Sequence, residues 1–582
     1  MAAGDEGRQD DGHEEAHPRS VAVFGRAPCP TAVPPGYSGP ALEAVMSPTL
    51  WIVLLSCTGS PSDDTGGAVG DSGDGGAGEA LCDDGLRKRE FQQAVQDDSL
   101  LAVAANTTIP TLAGDYILQD HWDGCDVMLF INDEPPQARS SDWGTALWER
   151  DVADLFARAP ANTIFFFGSD HADAADREAS LSMLQAEVVD AFRDMSDEER
   201  AWWEPRIHYV DGRFRDVYGW VGDVIRSPGW GAVLDRTQHI RYIGSYADVD
   251  RYSSSAGWFE PNLSMAANEA IYANYLAALA QHREDDGATV VTLWDRELIS
   301  DTNWSGTRGR TTVQLPDADT MAGFDTLELD LTMHCNGAGE YGTCPPWDYL
   351  VYLYLCDEGQ TEGCSTEFGR WITTYHRQAE WIHDVSDLLP LIAGGGTRTF
   401  EFYTTQEYEI SLSLRLSNQG RDTRPVQTHF LFSGGAFDAD YNDAYEPIEV
   451  EIPATARKVE LATVISGHGQ VSPGNCAEFC PTEHHFYVNG TDNVRVLDNA
   501  GTETGCMDMV DQGVVPNQYG TWWYGRSGWC PGWLVPMVVM DITDQVTPGA
   551  TATFDYEGFR DGQPYESSGA SIVLSSFLTI RQ

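Results

Sequence analysis

Three short stretches of this 582-residue chain bring together residue types that move protons and hold sugars. Cys344-Pro345-Pro346-Trp347-Asp348 sets a carboxylate beside a tryptophan, directly ahead of the apolar run Leu350–Leu355. Cys476-Ala477-Glu478-Phe479-Cys480 sets a second carboxylate beside a phenylalanine, and a disulfide across so tight a loop would force Glu478 outward. Arg526 lies just before Trp529 in Gly528-Trp529-Cys530-Pro531-Gly532. Carboxylates bond hydroxyls and transfer protons, and flat rings cover the apolar faces of sugars. Taken singly, each cysteine pair could simply staple a loop, the usual work of disulfides in exported β domains. The repeated coincidence of staple, carboxylate and aromatic points instead to a sugar site.

The elements that must position these residues are strands. Between residue 290 and the last residue, runs such as Thr289–Leu293, Thr326–Met333, Leu350–Leu355, Thr399–Tyr403 and Ile410–Leu416 follow one another with Gly, Pro and Asp turns between them. Helical periodicity is almost absent, which predicts two antiparallel β-sandwiches, assigned to 286–420 and 421–582 with a break at Asn418–Arg424. A bridge from Cys335 to Cys344 would fix Trp347 and Asp348 at a strand entrance; Cys356 and Cys364 form a second close pair, and Cys506 and Cys530 remain. Ahead of them, 86–285 alternates strand-like runs (Val127–Ile131, Thr163–Phe167, Gly231–Leu234, Ile240–Ile243) with a helical pattern over Arg177–Met195, so an α/β domain is expected. Its order resembles a thioredoxin-like domain that lacks the Cys-x-x-Cys pair. Cys125 stands alone there, and a dithiol cycle needs a resolving partner. A structural bridge from Cys82 to Cys125 is the preferred reading over a peroxidase-type thiol.

Bulk properties narrow the partners. With 90 acidic against 35 basic side chains the formal charge is −55, a surface that repels nucleic acid and anionic lipid. The 12 cysteines at short paired spacings imply an oxidising compartment. Met46–Cys57, MSPTLWIVLLSC, ends like a bacterial lipobox, with Cys57 as the lipidated residue and 1–57 as upstream segment and signal. The Gly/Ser/Asp-rich stretch 58–85 reads as a tether. An exported monomer is expected, as an outer-membrane or cell-surface lipoprotein or otherwise secreted, touching membrane only through that anchor.

The second half also resembles the peptide-N-glycosidase F family, and the match is collinear. Cys344–Asp348 is similar to the family's Cys-x-x-Trp-Asp, Gly369-Arg370-Trp371-Ile372-Thr373-Thr374-Tyr375 to its Gly-Arg-aromatic-Ile-Thr-x-Tyr, and Asp384-Val385-Ser386-Asp387 to the run that follows. Ile465-Ser466-Gly467, Cys476–Cys480, Arg526–Gly532 and Ser575-Ser576-Phe577 match motifs of its second domain. The resemblance implies a jelly-roll pair, N-glycoprotein substrates, no cofactor, and an amidase that cleaves the Asn–GlcNAc bond to a glycosylamine and Asp. It assigns the catalytic work to Asp348 and Glu478 and places Arg526 at the same pocket; substrate contact is expected of Trp347, Arg526, Trp529, Phe479, His468 and Glu407. Two departures stand out. Thr405 replaces a family glutamate, leaving Glu407, two residues on along the same expected strand face, as the substitute; His468 replaces a tryptophan and Gln470 a histidine. The alternatives are a glycan-binding paralogue without turnover and a copper monooxygenase of the same superfamily. For the latter, His484-His485 is the adjacent pair, whose members should point to opposite faces of a strand.

Overall fold

Strand Val127–Asp133 is buried along its whole length because both faces of its sheet are covered. The structure, a computed structural model, describes residues 80–133, 147–226, 231–254, 258–285, 287–300, 307–337, 339–357, 359–360, 363–469 and 476–582. The expected signal at Met46–Cys57, most of the tether and Gln470 lie outside these residues.

The first seven strands are β1 (Thr108–Thr111), β2 (Gly114–Ile117), β3 (Val127–Asp133), β4 (Thr163–Ser169), β5 (Ile207–Arg213), β6 (Gly231–Leu234) and β7 (Ile240–Tyr242). They form one sheet in the order β2-β1-β5-β4-β3-β6-β7, with β3, β4 and β5 parallel and β6–β7 an antiparallel hairpin against β3. Alternation divides the core. Val127, Leu129 and Ile131 join Phe165 and Phe167 on the side of helices Ala174–Ala191 and Ala267–Asp285. Met128 and Phe130 join Phe166 on the side of helix Trp220–Arg226. A small hairpin, β8 (Ala247–Ser253) and β9 (Trp258–Pro261), follows. Cys82 is bridged to Cys125, and Arg236 pairs with Asp84, so residues 80–85 are tied to this α/β unit.

From residue 289 the chain is mostly strand. β10 (Thr289–Ile299), β12 (Thr326–His334), β15 (Ala379–Asp384) and β17 (Tyr408–Ser417) make a four-stranded sheet ordered β10-β17-β12-β15. β11 (Thr307–Asp317), β13 (Leu350–Leu355), β14 (Thr366–Ile372) and β16 (Gly395–Thr404) make its partner, ordered β11-β16-β13-β14. Inward residues of both, among them Leu329, Leu331, Val351, Leu353, Phe400, Phe402, Leu412 and Leu414, share one apolar core that continues into the helix side of the α/β unit. The second pair of sheets has its own core: β18 (Pro425–Phe437), β26 (Ala570–Arg581), β20 (Lys458–His468) and β24 (Val538–Asp541) against β19 (Ile448–Glu451), β25 (Thr551–Phe559), β21 (Glu483–Val488) and β22 (Thr491–Val496). One short strand crosses over: β23 (Trp533–Leu534), from the second half, pairs with Trp371 and Ile372 at the edge of the first sandwich.

The α/β unit is joined to this β frame by charge as well as by apolar packing. On helix Ala267–Asp285, Arg283 binds Asp330 at 2.7 Å and Glu380 at 2.6 Å, and His282 meets Glu328 at 2.9 Å, so the helix covers the outer face of β12 and β15. Deeper in, the fully buried Arg377 donates both Nη groups to Glu269 of the same helix at 2.9 Å. It also binds Glu340 at 3.0 Å and the carbonyls of Tyr242 and Pro516 at 2.9 and 2.7 Å. Asn517 donates to Glu269 at 2.9 Å from the other side.

Candidate active site

Asp348 sits in the loop that leads into β13, and Thr373 holds that loop in place. The Thr373 hydroxyl donates to the carbonyl of Trp347 and accepts from the amide of Tyr349 at 2.7 Å. The adjacent Cys335–Cys344 bridge closes the preceding loop. Glu478 reaches the same place from the second sandwich. Its loop is closed by Cys476–Cys480 and laced to the end of β20: the Glu478 amide donates to Gly469 at 3.0 Å and its carbonyl accepts from Ser527 at 2.8 Å. Gly467 permits this close approach, since a Cβ there would stand 2.0 Å from the Ala477 carbonyl oxygen. Arg526, next to Ser527, completes the group.

Arg526 stands between the two carboxylates, 3.7 Å from Asp348 and 3.6 Å from Glu478, with its side chain 2% exposed. One guanidinium therefore faces two acids in a partly desolvated pocket. Burial holds the Asp348 carboxyl above its usual range, opposed by Arg526 and by a hydrogen bond from the Tyr375 hydroxyl. Burial also lifts Glu478 to about 7, with Arg526 opposing and Asp348 adding to the rise. The pair thus favours holding one proton at mildly acidic pH. Nη1 of Arg526 is committed to the carbonyls of Thr521 and Tyr524 at 3.2 and 2.7 Å. Its buried Nε makes no hydrogen bond, a donor left facing the acids.

The aromatic residues divide by position. Trp347 is 51% exposed beside Asp348 and forms an open wall. Phe479 and Trp529 flank the Arg526 guanidinium, each ring 5.2 Å from it. Trp529 is 3% exposed and donates to Gly467, so it braces Arg526 from behind; the expected contact with substrate is corrected to that role. His468 stacks on Trp529 and bonds Ser466, and burial pushes its imidazole down to about 3, leaving it neutral. Glu407 is a second correction. β16 ends at Thr404, Thr405 and Gln406 form a bend, and Glu407 is exposed in the connection to β17, so strand alternation does not bring it to Thr405's face. Of the histidine pair, His484 uses both ring nitrogens, on Tyr556 at 2.7 Å and Thr482 at 3.0 Å, while His485 faces Asp492.

Sequence reasoning missed Tyr375 as a site residue. Its signal was its place at the end of the Gly369–Tyr375 motif, after the Thr373 that clamps the Asp348 loop. All five expected bridges are present: Cys82–Cys125, Cys335–Cys344, Cys356–Cys364, Cys476–Cys480 and Cys506–Cys530.

Residues 438–579 match the family model described as peptide-N-glycosidase F, C terminal. The peptide-N(4)-(N-acetyl-beta-D-glucosaminyl)asparagine amidase F of Elizabethkingia miricola is 26% identical over 257 residues, which span 40% of this chain and 69% of that protein. Among solved structures, PNGase F, a glycosylasparaginase from Flavobacterium meningosepticum, aligns with a TM-score of 0.41 and 19% identity, covering 51% of this chain and 96% of that one. PNGF-II aligns with a TM-score of 0.39 and 15% identity, covering 52% of this chain and 67% of that one.

Proposed function

We propose that this protein, which matches the peptide-N-glycosidase F C-terminal model over 438–579, is an amidase that hydrolyses the Asn–GlcNAc bond of N-glycoproteins. The observation that carries the reading is the convergence of Asp348 and Glu478, from different sandwiches, on the single Arg526. Asp348 takes a proton from a water as that water's oxygen attacks the side-chain carbonyl carbon of the substrate asparagine. The carbon–nitrogen bond then breaks, and the proton passes to the leaving nitrogen, giving a glycosylamine and an aspartate-containing peptide. Glu478, held by the charge of Arg526, binds sugar oxygens, and Trp347 covers an apolar sugar face. No cofactor enters the scheme.

The test is to incubate the full chain with a defined N-glycopeptide and weigh the peptide product. The expected result is conversion of the glycosylated Asn to Asp, abolished by Asp348→Asn; an undiminished rate in that variant would sink the assignment. A second reading, glycan binding without turnover, draws on Thr405 and on the exposed place of Glu407 in the connection after β16. Binding of the glycan with no change in peptide mass would decide for it.

The proposal extends to place and ancestry. Five disulfides suit export to an oxidising compartment, and Met46–Cys57 suits a lipid anchor at Cys57. Jelly-roll connectivity for the sandwiches and a thioredoxin-like origin for the α/β domain, its cysteine joined to Cys82 in a structural bridge, belong to the same reading.

A further inference from the structure

The loop 516–526 touches both the acid pocket and the α/β unit. Gln518 accepts from the Tyr375 amide at 2.7 Å, and Gly520 lies so close to the Tyr375 ring that a Cβ there would stand 3.0 Å from it. Thr521 and Tyr524 hold Arg526 through their carbonyls. Between these contacts Tyr519 projects outward, 49% exposed, with its ring stacked on Trp258 of β9 at 4.6 Å and 1°. The edge of the Tyr519 ring meets His376, and His376 donates its amide to Pro345, two residues before Trp347. On the other side Tyr524 is 36% exposed and packs edge-on against Phe479. A row of aromatic side chains therefore runs from His376, whose backbone is tied to the Trp347 loop, to Tyr519 and Trp258, and one member comes from the α/β unit.

That unit is not free to swing away. Asn517 adopts φ 46° and His376 φ 61°, the left-handed conformation that Asn and His enter more readily than most residues. The ties are visible: the Asn517 side chain binds Glu269 and the Met265 carbonyl, its own carbonyl accepts from Ser245, and Arg377, the residue after His376, binds Glu269.

We propose that the α/β domain contributes a sugar-binding subsite, in which Trp258 and Tyr519 form a platform for a neutral monosaccharide unit of the glycan lying beyond the two core GlcNAc residues. The inference rests on the amidase reading for its ligand. A neutral sugar is the occupant that suits an aromatic rim built on the same loops as the acid pocket, on a chain of net charge −55.

The test is equilibrium binding to the full-length protein of two free ligands, a complete neutral N-glycan and its two-sugar chitobiose core. Trp258→Ala is expected to weaken the complete glycan about five- to tenfold, the size of a lost stacking contact, and to leave chitobiose unchanged. Trp258→Phe, which keeps a ring, should restore most of the affinity. Equal weakening of both ligands, no weakening of either, or no binding of the complete glycan by the unaltered protein would overturn the proposal. Mass analysis of a glycopeptide run alongside separates the two readings: Trp258-dependent binding without Asn-to-Asp conversion keeps this inference and removes the amidase.

Discussion

Glu478 is where chemistry and stability pull in opposite directions. Its carboxyl is lifted to about 7 by burial and by Asp348, against 4.5 for the free group, so the folded protein binds more protons than the unfolded chain across that window. Stability from this group is therefore complete at low pH and is lost as pH rises from about 4.5 to 7. Glu478→Gln removes the titration. Relative to the unaltered protein, the variant should gain stability through that window and hold a constant advantage above it, on the order of 1–3 kcal/mol. Chemical denaturation at pH 5 and pH 8 checks this, and a gap that does not widen with pH would contradict it. Asp348, Glu478 and Arg526 were legible in the sequence because a staple and an aromatic flank each of them. Tyr519 and Trp258 were not, because their relevance comes from contacts between distant parts of the chain, and no local spacing encodes those. Glu407 shows the converse error: alternation was extended beyond the last residue that obeys it.

Among elements, the loop after β14 is the most heavily determined. Thr373, Thr374, Tyr375, His376 and Arg377 fix, in turn, the Asp348 loop, the local turn, the acid pocket, the aromatic rim and the α/β unit. Arg377 is the pin. It is buried between Glu269 and Glu340, and Glu269 is itself lifted to about 7 by burial despite the guanidinium. Arg377→Met leaves two buried carboxylates facing each other, and the expected cost is roughly 3–5 kcal/mol. The loss should be smaller at pH 5 than at pH 8, because protonating a carboxyl relieves the repulsion; thermal melts at the two values check it. Strand-rich character after residue 289 and the buried runs of β3 and β4 could be read from period and composition. The bond from Arg377 to helix Ala267–Asp285 could not, since a lone arginine after a motif carries no partner in its spacing.

At the scale of the whole molecule, the α/β unit and the β frame share one apolar core, and the helix Ala267–Asp285 covers acids of β12 and β15 with its own cations. A chain started at residue 287 would expose that core and leave Asp330 and Glu380 without Arg283. It is expected to be insoluble or to melt well below the full protein, as expression and calorimetry of the two would reveal. The sequence did show two textures meeting near residue 286, but texture marks where a fold changes, not whether its parts can live apart. The crossing strand β23 extends the point to the two sandwiches. Trp533 and Leu534 complete the edge of a sheet whose other strands all precede residue 405. A chimaera that swapped halves between relatives at residue 420 would bring a foreign edge strand into the recipient's first sheet, and with it foreign neighbours for Trp371 and Ile372. Recombination at that joint is therefore penalised, because each half carries part of the other's fold.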